Sequence, residues 1–128
     1  MAKPFKELLR AQQYCLLTTF RKDGTPVPTP MWFAVDGDEI VMMTKGQTAK
    51  VKRIRNQEKV KVGPCHGGGR PTGPQLEAQA RVLTEPEDLT RIDKILNDRY
   101  GLKRKILRWA LRLAKDKTDA AIVISRQK

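Results

Sequence analysis

Apolar and polar positions recur along this chain with the two periods of regular structure and divide it into short segments. Phe5, Leu8 and Leu9, with Gln12, lie at helical spacing behind Pro4, a residue at home in a first turn, and predict a short amphipathic helix over Pro4–Gln13. Tyr14–Phe20 is rich in β-formers, and Arg21-Lys22-Asp23-Gly24-Thr25 behind it contains an Asp-Gly pair that favours a hairpin turn. The second strand begins with Pro26, Pro28 and Pro30 alternating with Val27, Thr29 and Met31, and continues through Trp32-Phe33-Ala34-Val35. With backbone donors missing at every second position, it cannot be a fully paired central strand; it suits an edge, or a backbone left open for a ligand. A second Asp-Gly signal, Asp36-Gly37-Asp38, then turns the chain into Glu39–Thr44, the third strand of a meander.

Further along, Thr48 is placed to cap a short basic helix that ends at Asn56, with Val51 and Ile54 as its apolar stripe. Lys59–Gly63 alternates strictly as a fourth strand, Pro64–Pro74 is punctuated by glycine and proline as a loop, and Gln75–Leu83 alternates as a fifth strand. Glu85-Pro86-Glu87-Asp88 opens a helix marked by Leu89, Ile92, Ile95 and Leu96 and running towards Tyr100-Gly101. A further helix over Lys103–Lys115 carries a basic stripe (Lys103, Arg104, Arg108, Arg112, Lys115) with Trp109 nearby, and Ala120–Ile124 closes the chain as the sixth strand. Meander connections in this order predict a mainly β, α+β architecture: a six-stranded antiparallel barrel with peripheral helices, in one domain over residues 1–128.

Composition narrows the function classes. The 26 Lys and Arg against 14 Asp and Glu leave a net charge of +12 on 128 residues, so an anionic partner is expected: nucleic acid, an acidic membrane, or a polyanionic cofactor. At 39% hydrophobic, the chain has material for a real core despite 31% charged residues, which excludes wholesale disorder. Apolar runs such as Ile40-Val41-Met42-Met43 are far short of a membrane-spanning helix. The charged start, Met1-Ala2-Lys3-Pro4-Phe5-Lys6-Glu7, lacks the features of a secretory signal and points to the cytoplasm. Two cysteines, Cys15 and Cys65, and a single histidine, His66, are too few for a structural zinc site, and two free thiols are expected. Cys65-His66 also has the composition of a nucleophile pair, but adjacent residues point apart and no orienting third group is evident.

The strongest candidate chemistry is the junction Thr44-Lys45-Gly46-Gln47-Thr48-Ala49-Lys50, where a strand ends in a hydroxyl, passes a glycine and enters a helix. Helix N–H groups, the helix dipole, and Lys50 with Arg53 three residues later converge there on a natural seat for an anion such as phosphate. It is not a Walker loop, because no G-x-x-x-x-G-K-[ST] pattern occurs.

The stretch Leu16–Pro26 followed by Thr29-Pro30-Met31-Trp32-Phe33 resembles the opening of the FMN-binding split-barrel superfamily, whose founding members are pyridoxamine 5′-phosphate oxidases. Lys50–Asn56, Val62-Gly63-Pro64-Cys65 and Gly69–Pro74 are similar to its deazaflavin (coenzyme F-420) dependent branch, and the likeness is strongest over residues 5 to 83. The resemblance implies a homodimer with flavin or deazaflavin sites at the subunit interface, Thr44, Lys50, Lys52 and Arg53 around the phosphate, and Thr29, Pro30, Met31 and Trp32 against the ring. It implies an oxidoreductase that moves a hydride to or from a small organic molecule, with F-420 favoured over FMN and with Arg70 and Arg81 adding to the attraction for a polyanion. The chain departs from the founding oxidases at its end, Ile124-Ser125-Arg126-Gln127-Lys128, which has no histidine, so vitamin B6 oxidation is not expected. Some split barrels degrade haem, which leaves His66 a second, weaker role as haem ligand. The rival class is a binding module without redox activity, laying the basic stripe of 103–115 on nucleic acid or an acidic membrane surface.

Overall fold

A computed structural model describes residues 5–9, 12–45, 48–100 and 119–126. The elements are α1 (Phe5–Leu8), β1 (Tyr14–Phe20), β2 (Pro26–Met31), β3 (Ala34–Asp36), β4 (Glu39–Lys45), α2 (Ala49–Asn56), β5 (Lys59–Cys65), β6 (Leu76–Leu83), α3 (Pro86–Tyr100) and β7 (Asp119–Arg126). All strands join one antiparallel sheet in the order β2-β1-β5-β6-β7-β4-β3. Its two end strands are neighbours in sequence, separated by Trp32 and Phe33, so the sheet curls until the chain itself joins its ends. The ring is six strands around, with β2 and β3 the successive halves of one strand that serves β1 first and β4 second: a split barrel of the α+β class. The uninterrupted meander expected from Pro26 to Val35 is corrected by this break, since β2 pairs with β1 and never with β4.

The prolines explain the break. In an antiparallel ladder each residue turns both its N–H and its C=O to the same neighbour, and alternate residues turn to opposite sides. Val27, Thr29 and Met31 stand opposite Thr19, Leu17 and Cys15, while Pro26, Pro28 and Pro30 stand opposite Phe20, Thr18 and Leu16. Having no N–H, the prolines cannot make the paired bonds, so Val27, Thr29 and Met31 hold β1 and the proline positions fall on the other edge. That edge offers carbonyls and no donors. The β3–β4 register, with Ala34 opposite Val41, would set Met31 against Thr44 if continued; instead Met42–Lys45 pair only with β7. The ladder is thus interrupted between β2 and the second half of β4, a break referred to as the slot.

The inside of the barrel holds Leu17, Phe33, Ile40, Met42, Ile122 and Ile124, joined by Phe5 and Leu9 from α1 and its C-terminal end, and by Ile54 from α2. A second cluster forms outside, where Ile92 and Leu96 of α3 cover Val41, Ala121 and Val123. Because β4 and β7 are covered on both faces, Ile40-Val41-Met42 and Ala120–Ile124 are buried as unbroken runs, each large side chain contributing roughly 1.5–3 kcal/mol. The opening helix is a single turn rather than Pro4–Gln13: the chain has left helical geometry by Gln12, and Phe5 and Leu9 keep their inward spacing. The predicted helix over Lys103–Lys115 lies outside the described residues. Among those described, no helix is long and apolar enough to cross a membrane.

Two exposed ion pairs grip the β3–β4 hairpin. Arg81 Nη1 reaches Glu39 Oε2 at 2.9 Å and Arg91 Nη1 reaches Asp36 Oδ2 at 3.0 Å. Such pairs contribute about 0.2–1 kcal/mol each. Beyond β5 the chain doubles back, with Cys65 opposite Pro71, the His66 N–H donating to the Arg70 carbonyl at 2.9 Å, and the Thr72 N–H donating to the Pro64 carbonyl at 3.1 Å. This loop then settles on Gly63: a Cβ there would stand 2.5 Å from the Pro74 carbonyl oxygen and 2.5 Å from Gln75 Nε2. Gln75 Nε2 donates to the carbonyls of Pro64 and Gly73, both at 3.2 Å.

Gly63→Ala is expected to destabilise the protein by about 1–3 kcal/mol, because the group in the way is backbone. Gly68→Ala, where a Cβ meets nothing within 4 Å, should stay within about 0.5 kcal/mol of the parent. Urea unfolding midpoints of the two variants check this contrast.

Candidate functional site

The slot is flanked by the donor-free edge of β2 and by the end of β4; α2 follows β4 in the chain and packs against β1 and β6. On β2, Thr29 and Met31 share the inner face with their partners Leu17 and Cys15, whereas Pro30 shares the outer face with Leu16 and lies where a Cβ on Gly69 would be 3.6 Å from its Cδ. All three are half-buried, as is Trp32 at the joint. Their side chains therefore stand on two faces, and what they present in common to the slot is the strand's edge backbone.

Thr44, half-buried and opposite Ala120, lies at the far wall. The Gly46-Gln47 turn lies outside the described residues. Thr48 occupies the N-cap position of α2 with extended backbone but does not cap it: its hydroxyl donates to the Lys45 carbonyl at 3.1 Å. No acidic residue stands in the first turn. The first helical N–H groups thus receive no side-chain oxygen from Thr48, and the positive end of the dipole has no carboxylate beside it.

Lys50 and Arg53, three apart on the helix and hence neighbours on its surface, are both half-buried. Burial, and secondarily the positive charge of Arg53, holds the Lys50 ammonium below the ordinary lysine range. Arg53 Nε donates to Thr19 Oγ1 at 2.6 Å, which draws the guanidinium against the nearly inaccessible hydroxyl of β1 and engages one of its five donors. Lys52 is exposed and stands two residues from Lys50, a spacing that does not share a face, so the structure does not bring it together with the other two. Arg70 is exposed on the loop after β5, and Arg81 is committed to Glu39 and Ser125 on the outer face. Arg81 thus contributes its charge to the surface from within an ion pair.

Thr19 was not among the residues singled out by pattern, since a threonine in an apolar run reads as a β-former; its bond to Arg53 spans 34 positions and has no local signal. The Cys65-His66 pair does not have the geometry of a nucleophile. Cys65 is buried and His66 exposed, and burial pushes the Cys65 thiol up. Cys15 is pushed up to about 12, chiefly by burial. Both thiols are free, and among the described residues no cluster of His, Cys, Asp and Glu could hold a metal ion.

Residues 1–122 match the family model described as pyridoxamine 5′-phosphate oxidase. No curated protein matches the sequence. Among solved structures, a conserved hypothetical protein from Mycobacterium tuberculosis is 22% identical with a TM-score of 0.72, covering 100% of this chain and 82% of the other. An F420 reductase is 23% identical with a TM-score of 0.63, covering 100% and 97%. A haem storage protein, HutZ from Vibrio cholerae, is 12% identical with a TM-score of 0.71, covering 96% and 87%. At these identities the likeness establishes the barrel.

Removing the Lys50 charge should relieve the repulsion by Arg53 and the cost of half-burial, so Lys50→Met is expected to raise the thermal midpoint in low salt while abolishing stabilisation by added phosphate. The sign follows from a lysine pKa lowered on folding: the cost is complete while the group is charged in both states, and fades as pH rises from the folded value towards 10.5. Calorimetry with and without phosphate reads both effects. Both thiols should resist a disulfide reagent at pH 8 in the native protein and react on unfolding in urea.

Proposed function

The chain belongs to the pyridoxamine 5′-phosphate oxidase family, and from that premise we propose that it is an oxidoreductase binding a flavin-type cofactor in the slot between β2 and β4. Coenzyme F-420 is the favoured cofactor and FMN the alternative. The observation that carries this reading is the pair of half-buried cations, Lys50 and Arg53, at a helix start that its own threonine leaves uncapped. A phosphate fits these residues: it neutralises a like-charge pair and accepts from N–H groups of the first turn.

In this reading Lys50 and Arg53 hold the phosphate, Thr44 adds a hydroxyl, and Thr19 orients Arg53 through Nε while its remaining N–H groups serve the anion. The edge of β2 from Thr29 to Trp32 would flank the ring, with the Pro30 carbonyl available as a hydrogen-bond acceptor. The bound cofactor supplies the hydride chemistry, so the protein's work is to orient it, to keep water away and to admit a small organic substrate. A homodimer completes the site: α3 covers the outside of β3, β4 and β7, while Pro26 and Pro28, exposed beside the half-buried Phe20, suit a second copy. The cytoplasm is the proposed location.

Titration of cofactor-stripped protein with FMN and with F-420, followed by fluorescence at fixed ionic strength, tests the reading. One molecule should bind per subunit, and the tighter ligand identifies the cofactor. Lys50→Ala with Arg53→Ala should weaken it by about 100-fold, two charge-assisted contacts being lost. Binding of neither ligand, with salt-sensitive retention on DNA or acidic vesicles, would move the protein to the class of binding modules.

A further inference from the structure

The turn after β5 is a strap laid over its neighbours. The sheet runs β2-β1-β5, and the chain beyond Cys65 reaches first β1 and then β2. A Cβ on Gly67 would stand 3.1 Å from Cε2 of Tyr14, at the start of β1, and one on Gly69 would stand 3.6 Å from Cδ of Pro30, on β2. The strap is closed by the Cys65–Pro71 bridge and by two bonds of 2.9 Å, from the His66 N–H to the Arg70 carbonyl and from the Gly69 N–H to the His66 carbonyl. Gly69 has a φ of +92°, a conformation that glycine adopts without strain, and this lets the tip turn back at Pro30. Arg70 is thereby carried to β2: its Cα lies about 3.8 Å from that of Gly69. It is exposed and, among the described residues, has no carboxylate partner, whereas Arg81 and Arg91 are paired.

A second cation is tied to the other end of the same strand. Arg53 Nε donates to Thr19, and Thr19 stands opposite Val27. Val27 and Pro30 are three residues apart, which is about 10 Å along a strand. Arg53 approaches from the inner face, which holds Leu17 and Cys15, and the strap from the outer face that Pro30 shares with Leu16. A ligand lying along the open edge with its phosphate at Arg53 therefore has its far end at Arg70. In a flavin-type molecule that end is the pyrimidine edge of the ring, with its two carbonyl oxygens. We propose that Arg70 is a cofactor contact, meeting the end of the ring remote from the phosphate and stabilising the negative charge that two-electron reduction leaves there. A guanidinium suits this task, being charged at any working pH and offering a fork of N–H donors to carbonyl oxygens; fixed charge beside the ring is a lever by which a protein tunes such a cofactor. The inference rests on the flavin-site reading, to which it adds the partner of the ring.

The test is anaerobic titration of the full chain, stripped of cofactor, with whichever of FMN and F-420 the parent binds more tightly, once in its oxidised form and once chemically reduced. Arg70→Gln should weaken binding of the reduced form about tenfold and of the oxidised form by less than about threefold. Arg70→Lys, which keeps the charge and loses the fork, should fall between Arg70→Gln and the parent. Lys94→Gln, at an exposed position on α3, removes one charge elsewhere and should leave both affinities unchanged. Stabilisation by inorganic phosphate, which engages Lys50 and Arg53, should stay at the parent level in Arg70→Gln. Because Arg70 is exposed, its replacement should leave the urea midpoint within about 0.5 kcal/mol of the parent. Equal weakening of the two redox forms in Arg70→Gln, no weakening of either, or the same effect in Lys94→Gln would overturn the contact while leaving the flavin-site reading in place. Should the parent bind neither FMN nor F-420, the reading itself falls and the contact falls with it.

Discussion

A ring of strands closes only if some strand serves two neighbours, and here that duty falls on the run from Pro26 to Asp36. Its first half bonds to β1 and its second to β4, and the change of partner happens across two residues. Everything else follows from this transfer. The slot exists because the first half does not also bond to β4; α2 starts close to the end of β4 because it follows it in the chain; and Phe33, at the change of partner, is buried in the barrel.

The cations at the slot are held in place against their own repulsion. A lysine and an arginine three positions apart, both half-buried, gain nothing from each other, and the lysine is visibly disfavoured in its charged form. What keeps Arg53 there is local: its Nε bond to Thr19 and the burial of its helix neighbours Val51 and Ile54, which anchor α2 to the barrel. The apolar stripe of the helix therefore fixes the position of its charged groups, and packing offsets the cost of bringing them together. Such preorganisation is the usual reason that a charged site binds rather than merely attracts.

Much of the architecture was legible from periodicity. The Asp-Gly turns, the alternation of Lys59–Gly63 and Gln75–Leu83, and the unbroken apolar run of Ala120–Ile124 each mark a strand, and the alternate prolines mark an open edge. Ring closure was not, because nothing local to Trp32 and Phe33 says that their flanks bond to strands on opposite ends of a sheet. The same limit applies to the site. Lys50 and Arg53 could be paired by helical spacing, whereas the Thr19 bond to Arg53 and the Glu39 bond to Arg81 depend on contacts across the fold. Thr48 shows the opposite failure: its type and position are those of a cap, yet its hydroxyl turns back to Lys45, so residue type located the helix start without settling where the hydroxyl bonds.

The proline edge has one more consequence, for how these molecules meet at high concentration. Closed barrels escape fibre formation because they have no free strand edge, and opening a slot would normally forfeit that protection. Here the edge opened on the β2 side carries Pro26, Pro28 and Pro30. An incoming strand would find carbonyls and no N–H groups, so every second bond of the template is missing. The prolines that interrupt the ladder thus also deny that edge to a growing cross-β stack.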